Sequence, residues 1–258
     1  MGRKIKLLLA LGIALFTLIN YYSKRSENPV TGEVQHVAIS PEQEIALGLQ
    51  AAPQMANQHG GLYPDQQVQN YVKSIGYRLV QNSSAKNSPY QFDFHVLRDE
   101  KMVNAFALPG GQIFITAALL GRLKTEDQIA GVLGHEIGHV VGRHGAEHMA
   151  KAKLTQGLTG AAVIAAYDPN NASSRNSAAV AAMIGNMINM KFGRDDELES
   201  DRLGLQYMHT TGYDPNQMID VMRILEEATG GSQRSEFFST HPSPANRIEK
   251  IKETIRNL

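Results

Sequence analysis

Residues 125–144 read TEDQIAGVLGHEIGHVVGRH, and the rest of the chain can be ordered around them. Thr125 suits a helix cap, and Glu126 and Asp127 fall in the first turn, where negative charge is favoured. Ile129, Val132, Leu133, Ile137, Val140 and Val141 recur at helical spacing. His135 and His139 stand four positions apart, so both project from one helix face. Two imidazoles placed in this way can grip one zinc ion. Glu136 is too close in sequence to be a comfortable third ligand, but it is well placed to take a proton from water at that zinc. The H-E-x-x-H pattern alone has few fixed letters, so it needs support from elsewhere. Gly131, Gly134 and Gly138 give some. Each glycine inside a helix costs roughly 1 kcal/mol, so a helix that keeps three has something packed very close to it.

The 258 residues carry 25 basic and 25 acidic side chains, and this balance gives no global attraction to nucleic acid. The chain has no cysteine, so His, Asp and Glu must supply any metal ligands. Near the N-terminus an uncharged run from Leu7 to Ser23 is flanked by Arg3, Lys4 and Lys6 on one side and Lys24 and Arg25 on the other. That run meets the lower length limit for a spanning helix, and no small-x-small cleavage site follows it. It reads as a membrane contact through residues 7–23. The excess of basic residues ahead of it directs the N-terminus to the cytoplasm and the remainder to the periplasmic side of an inner membrane. Cleavage of the segment as a signal sequence would instead leave a periplasmic protein. The expected organisation is an anchor or signal over 1–25, a linker over 26–40 and one catalytic domain over 41–258.

Ser40-Pro41-Glu42 opens a helix running to about Gln58, and Asp65 caps a second with Val68, Val72, Ile75 and Leu79 on its apolar face. Phe92 to Leu97 alternates like a strand. Asn104–Leu108 and Gln112–Thr116 flank Pro109-Gly110-Gly111 and read as a β-hairpin. Gly157–Ala166 and Ser177–Met190 are apolar stretches around a polar loop, 168–176, and suggest a helical hairpin. His144 and His148 are expected to continue the helix of His135, as surface or supporting groups rather than ligands.

A catalytic zinc needs a third protein ligand and an open position. The acidic stretch 194–201 is the best source. Glu197 and Asp201 share a helix face, Glu197 being long enough to reach the metal and Asp201 placed to accept a hydrogen bond from a ligand histidine. Glu199 points elsewhere at about 100° per residue. Asp195 and Asp196 suit the helix N-terminus.

Taken together, Asn104-Ala-Phe-Ala-Leu-Pro-Gly-Gly111, His135-Glu-Ile-Gly-His139, Glu197 with Asp201, and Thr240-His241-Pro242 before Arg247 resemble the zinc metallopeptidase family that includes HtpX-like, Oma-like and CAAX-prenyl-protease-like enzymes (peptidase family M forty-eight). Ser200 stands where that family often has Ala. The resemblance covers roughly residues 41–255. It implies an α+β, mostly helical zincin (gluzincin) domain with a small β-sheet beside the active-site helix. It further implies one zinc per chain, held by His135, His139 and Glu197, with Glu136 as the catalytic base. His241 is a candidate oxyanion partner and equally suits the open zinc position, where it would keep the enzyme latent. The strand of Gly111, Gln112, Ile113 and Phe114 is expected to border the cleft and receive an extended polypeptide by edge pairing. The activity so implied is endopeptidase clearance of misfolded envelope proteins. The competing reading is a chaperone-like envelope protein whose zinc site is blocked.

Overall fold

The computed structural model describes residues 3–166, 192–229, 237–242 and 246–258, so the expected helix Ser177–Met190 and its preceding loop lie outside the described residues. The chain divides into two compact units. The first contains helix α1 (Arg3–Tyr22), the short strands β1 (Arg25–Glu27) and β2 (Val34–His36), and helix α6 (His144–Ala166) from Ala146 onward. β1 and β2 pair antiparallel, Arg25 opposite His36, so the stretch expected as a linker carries most of a hairpin. α1 is long and apolar enough to cross a membrane, with a mean hydropathy of 1.8 over Lys4–Tyr22.

The second unit is an α+β domain. Helix α2 (Pro41–Gln58) starts in a capping box made by Ser40 and Gln43, and α3 (Gln66–Gln81) is capped by Asp65. Strands β3 (Asp93–Leu97), β4 (Ala105–Leu108) and β5 (Gln112–Thr116) form one sheet, followed by the short helix α4 (Ala117–Leu120). α5 (Glu126–Val141) lies beneath the sheet, capped by Thr125 and buried along almost its whole length. α7 (Arg194–Thr211), α8 (Gln217–Thr229), α9 (Phe237–Thr240) and α10 (Arg247–Arg256) complete the unit. α3 and the inner face of the sheet close over one apolar core with α5, α7 and α8, through residues such as Ile75, Phe94, Ile115, Leu133, Tyr207 and Leu225.

Two expectations are corrected by this architecture. The strand order is β3-β5-β4, with β5 parallel to β3 and antiparallel to β4. The strand of Gly111, Gln112, Ile113 and Phe114 is therefore the middle one, fully buried, with both backbone sides already hydrogen-bonded. It has no edge to offer, and the sheet's outer strand on that side is β4. The alternating pattern could not reveal this, because an edge strand and a central one share the same period. Secondly, His144 does not continue α5. The helix ends at Val141, and Arg143 takes a left-handed conformation with φ 58° before α6 begins. That costly geometry is held by the Arg143 guanidinium, which donates to the buried Glu44 carboxylate and to the Ile39 carbonyl. Tyr90 donates to the other Glu44 oxygen at 3.0 Å.

The glycines of α5 have the close neighbour that their cost implied. A β-carbon on Gly138 would meet the Ser200 backbone at 2.9 Å, and one on Gly134 would meet Gly204 at 3.3 Å. α5 and α7 thus cross almost backbone to backbone, which brings the two parts of the candidate site within reach of each other.

Candidate metal centre

His135 and His139 project from α5 toward Glu197, one turn inside the N-terminus of α7, and His241 enters from just beyond α9. One ligand atom from each of these four buried residues lies within 4.8 Å of all the others. His139 Nε2 is 3.1 Å from His135 Nε2, His241 Nδ1 is 3.2 Å from His139 Nε2 and 3.4 Å from His135 Nε2, and Glu197 Oε1 is 3.0 Å from His241 Nδ1 and 3.4 Å from His139 Nε2. His135 Nε2 to Glu197 Oε2 is 3.6 Å. Four ligands ~2.0–2.1 Å from a tetrahedral zinc stand ~3.3 Å from one another, so these spacings suit one small cation at their centre.

The orphaned atoms around the cluster fit the same conclusion. Both Glu136 oxygens, Glu197 Oε2 and His241 Nε2 are buried without a hydrogen-bond partner among the described residues. Buried polar groups are rarely left so, and a cation at the centre of the cluster with ordered water beside it would satisfy them. Burial, the largest influence, pushes the Glu136 carboxyl above its ordinary range, partly offset by His241 and His135. Burial likewise holds His139 well below its ordinary value, so it stays the neutral imidazole that a metal needs. Burial would raise Glu197 too, but hydrogen bonds from His139 and His241 hold it well below the carboxylate range. His241 shows the opposite balance: burial opposes its charge, while Glu136 and Glu197 outweigh burial and raise its pKa.

A second ring of groups fixes these side chains. Asp201 Oδ1 is 2.9 Å from His135 Nδ1, which leaves Nε2 free to face the cluster. Arg247, on α10, donates to both Asp201 oxygens at 2.7 and 2.8 Å. Its Nη1 lies 2.9 Å from Glu197 Oε2, but without hydrogen-bond geometry. Burial, the largest single influence, works against charge on Asp201, and Arg247 and His135 together outweigh it and hold the carboxyl below its ordinary value. On the other side, His139 Nδ1 is 2.9 Å from His144 Nδ1, and His144 Nε2 is 3.2 Å from Glu199 Oε2. With Nε2 of His139 turned to the cluster, its Nδ1–H donates to His144, which in turn donates to Glu199. Two rings pack on the imidazoles: Phe192 stacks on His139 at 4.2 Å and Phe237 on His241 at 4.4 Å between centroids.

The profile of peptidase family M48 matches residues 66–255, most of the chain and the whole of the cluster. The chain belongs to peptidase family M48. It is 30% identical over 236 residues to the beta-barrel assembly-enhancing protease of Escherichia coli (strain K12), covering 89% of this chain and 47% of that protein. To the mitochondrial metalloendopeptidase OMA1 of Saccharomyces cerevisiae it is 29% identical over 271 residues, 98% of this chain and 74% of the relative. The Schizosaccharomyces pombe OMA1 shares 30% over 248 residues, 95% and 68% of the two chains. The chain therefore spans about half the length of the beta-barrel assembly-enhancing proteases that it matches.

The M48 domain brings together every expected metal-site residue: His135, Glu136, His139, Glu197, Asp201 and His241. The strand expected to offer a free edge is the central one of the sheet, as described above. Sequence reasoning gave Arg247 no role, although it followed the Thr-His-Pro turn. An arginine near the C-terminus looks like surface charge until the fold shows it buried against Asp201 and Glu197. Glu199 lies off the four-residue cluster, as its angular position on the helix implies, and His144 also stands outside it, at the start of α6 rather than on α5. The link from His139 through His144 to Glu199 needs the break at Arg143, which no periodicity announces.

Proposed function

We propose that this M48 domain is a zinc-dependent endopeptidase in which His135, His139 and Glu197 hold the metal and Glu136 transfers protons. Its carrying observation is the Glu136 carboxylate, buried, unpartnered and facing the four-residue cluster, with Oε1 3.8 Å from His241 Nε2. When bound, zinc supplies Lewis acidity toward water and toward the scissile carbonyl. Glu136, its proton affinity raised by burial, accepts the proton of the attacking water and returns it to the leaving amine. Asp201 fixes the His135 ring and is itself fixed by Arg247. His144 and Glu199 do the same for His139.

The substrate read by this site is an extended polypeptide lying along β4. Asn104 accepts from Thr116 N, so the antiparallel ladder directs residues 104, 106 and 108 toward β5 and turns the backbone of Ala105 and Ala107 outward. A groove lined by Ala107, Leu108, Pro109, His139, Arg143 and Phe192 joins that strand to the cluster. Backbone pairing tolerates many sequences, which suits clearance of misfolded chains. The uncleaved α1 anchors the protein in an inner membrane, with the peptidase domain on the periplasmic side. A role in envelope protein quality control draws support from the relative named for beta-barrel assembly.

A second reading is favoured by the position of His241. Its Nδ1 occupies the fourth corner of the cluster at ligand spacing, which describes a closed, latent site. The endopeptidase reading is tested by Glu136→Gln. This variant is expected to keep one zinc per chain by metal analysis and to lose cleavage of casein. Full activity in Glu136→Gln overturns the mechanism.

A further inference from the structure

In the first unit, α6 packs on α1. Gly157 of α6 faces Thr17 of α1 so closely that a β-carbon there would stand 2.5 Å from the threonine side chain. One turn earlier in α6, Lys153 and Leu154 share a cavity with Asn20, Tyr21 and Lys24. The two helices therefore run antiparallel, with Lys153 and Lys24 about one turn apart along the pair. Beyond these lysines both proceed in the same direction without a charge, α1 from Ser23 back to Leu7 and α6 from Leu154 to Ala166. Those 13 residues of α6 extend ~20 Å, about two thirds of a ~30 Å hydrocarbon core.

The packing follows the rules of helices in lipid rather than in water. The close contact is made by small residues, Gly157 with Thr17, and Ala10 and Ala161 are buried alanines further along the two helices. Thr17 donates its hydroxyl to the Ile13 carbonyl at 2.8 Å, and Thr155 donates to Lys151 at 2.9 Å, so both hydroxyls are satisfied within their own helices. Gln156 is exposed and sits in the first turn past Lys153. Most of the large apolar side chains of α1 remain exposed. Leu8, Leu11 and Phe16 are 68%, 65% and 72% exposed. A pair folded for water would bury them, and acyl chains are the medium that covers them without cost.

We propose that residues 154–166 of α6 are immersed in the bilayer beside α1, so that a helix pair rather than a lone span holds this protein in its membrane. This rests on the reading of α1 as a retained anchor. The absence of native cysteine allows a clean test with single-cysteine variants of the full chain in native membranes. A membrane-impermeant maleimide would be applied to Leu8→Cys, Ala162→Cys and Glu249→Cys, with casein cleavage confirming folding. Ala162 is exposed within the described fold, so protection there must come from lipid. Expected is rapid labelling of Glu249→Cys, and labelling of the other two at least tenfold slower until detergent is added. Protection of Leu8→Cys with free labelling of Ala162→Cys overturns the immersion of α6 and leaves the anchor standing. Free labelling of both overturns the proposal through failure of the anchor itself.

Discussion

Replacing Gly138 by alanine tests the helix crossing on which the site is built. A β-carbon at 138 would lie 2.9 Å from both the Cα and the carbonyl oxygen of Ser200. Comfortable carbon contacts are ~3.5–4.0 Å, and the atoms met are backbone, so α5 and α7 must part by roughly half an ångström or more. Overpacking of this kind costs about 1–3 kcal/mol. Alanine's better helix propensity returns roughly 1 kcal/mol. Gly131→Ala supplies the reference, because it lies on the same helix and its nearest neighbour would be 3.6 Å away. The propensity gain cancels between the two variants. Urea titration of the metal-free proteins should therefore place Gly138→Ala about 1–3 kcal/mol below Gly131→Ala. The same parting separates the proposed ligands of α5 from Glu197. Zinc affinity, measured against a chromophoric chelator, should fall about 10- to 100-fold in Gly138→Ala and hold in Gly131→Ala. Equal stability and equal affinity in the two variants would refute the crossing as the device that assembles the site.

Further outcomes bear on the supporting groups. Asp201 has its folded pKa below the ordinary 3.8, so its contribution to stability is present above that value and is lost as pH falls through the folded one. In chelator, wild type should lose stability on acidification from neutral to about pH 3 more steeply than Asp201→Asn, and parallel acid limbs in urea would contradict the Arg247 pairing. Glu197→Ala should lose bound zinc altogether. Glu199→Gln should keep it with about 10- to 100-fold weaker affinity, because it removes the acceptor behind His144; an unchanged affinity would assign His144 and Glu199 to packing alone.

The legible parts of this fold were those with a local signature. Thr125, Asp65 and Ser40 announce helix starts by chemistry that acts within four residues, and all three cap as their sequences imply. The α5 glycines announced a close neighbour but not its identity, since Ser200 and Gly204 are far along the chain. The sheet order was illegible because β5 pairs in parallel with β3 across a connection with no repeating pattern. Arg247 was illegible for a related reason. A buried cation is tolerated when its carboxylates are already in place, and Asp201 and Glu197 reach it by tertiary packing alone.

His241 carries the sharpest remaining consequence, because its two roles differ in the sign of one substitution. Its Nδ1 stands 3.0–3.4 Å from the other three ligand atoms, and its Nε2 faces Glu136 without a partner. A fourth protein ligand leaves no open position for water, so on the latent reading removal of the ring frees that position and raises turnover. On the oxyanion reading the ring stabilises charge that develops during attack, and its removal costs about 10²–10³ in kcat. His241→Ala, assayed on casein at saturating zinc, should therefore cleave faster than wild type if the fourth corner is a plug, and bind zinc more weakly because one ligand is gone. A variant whose zinc affinity is unchanged would remove His241 from the ligand set whichever way the rate moved. A drop in rate at lowered affinity would mean that the ring leaves the metal during turnover and acts on the substrate from Nε2, the atom already turned toward Glu136.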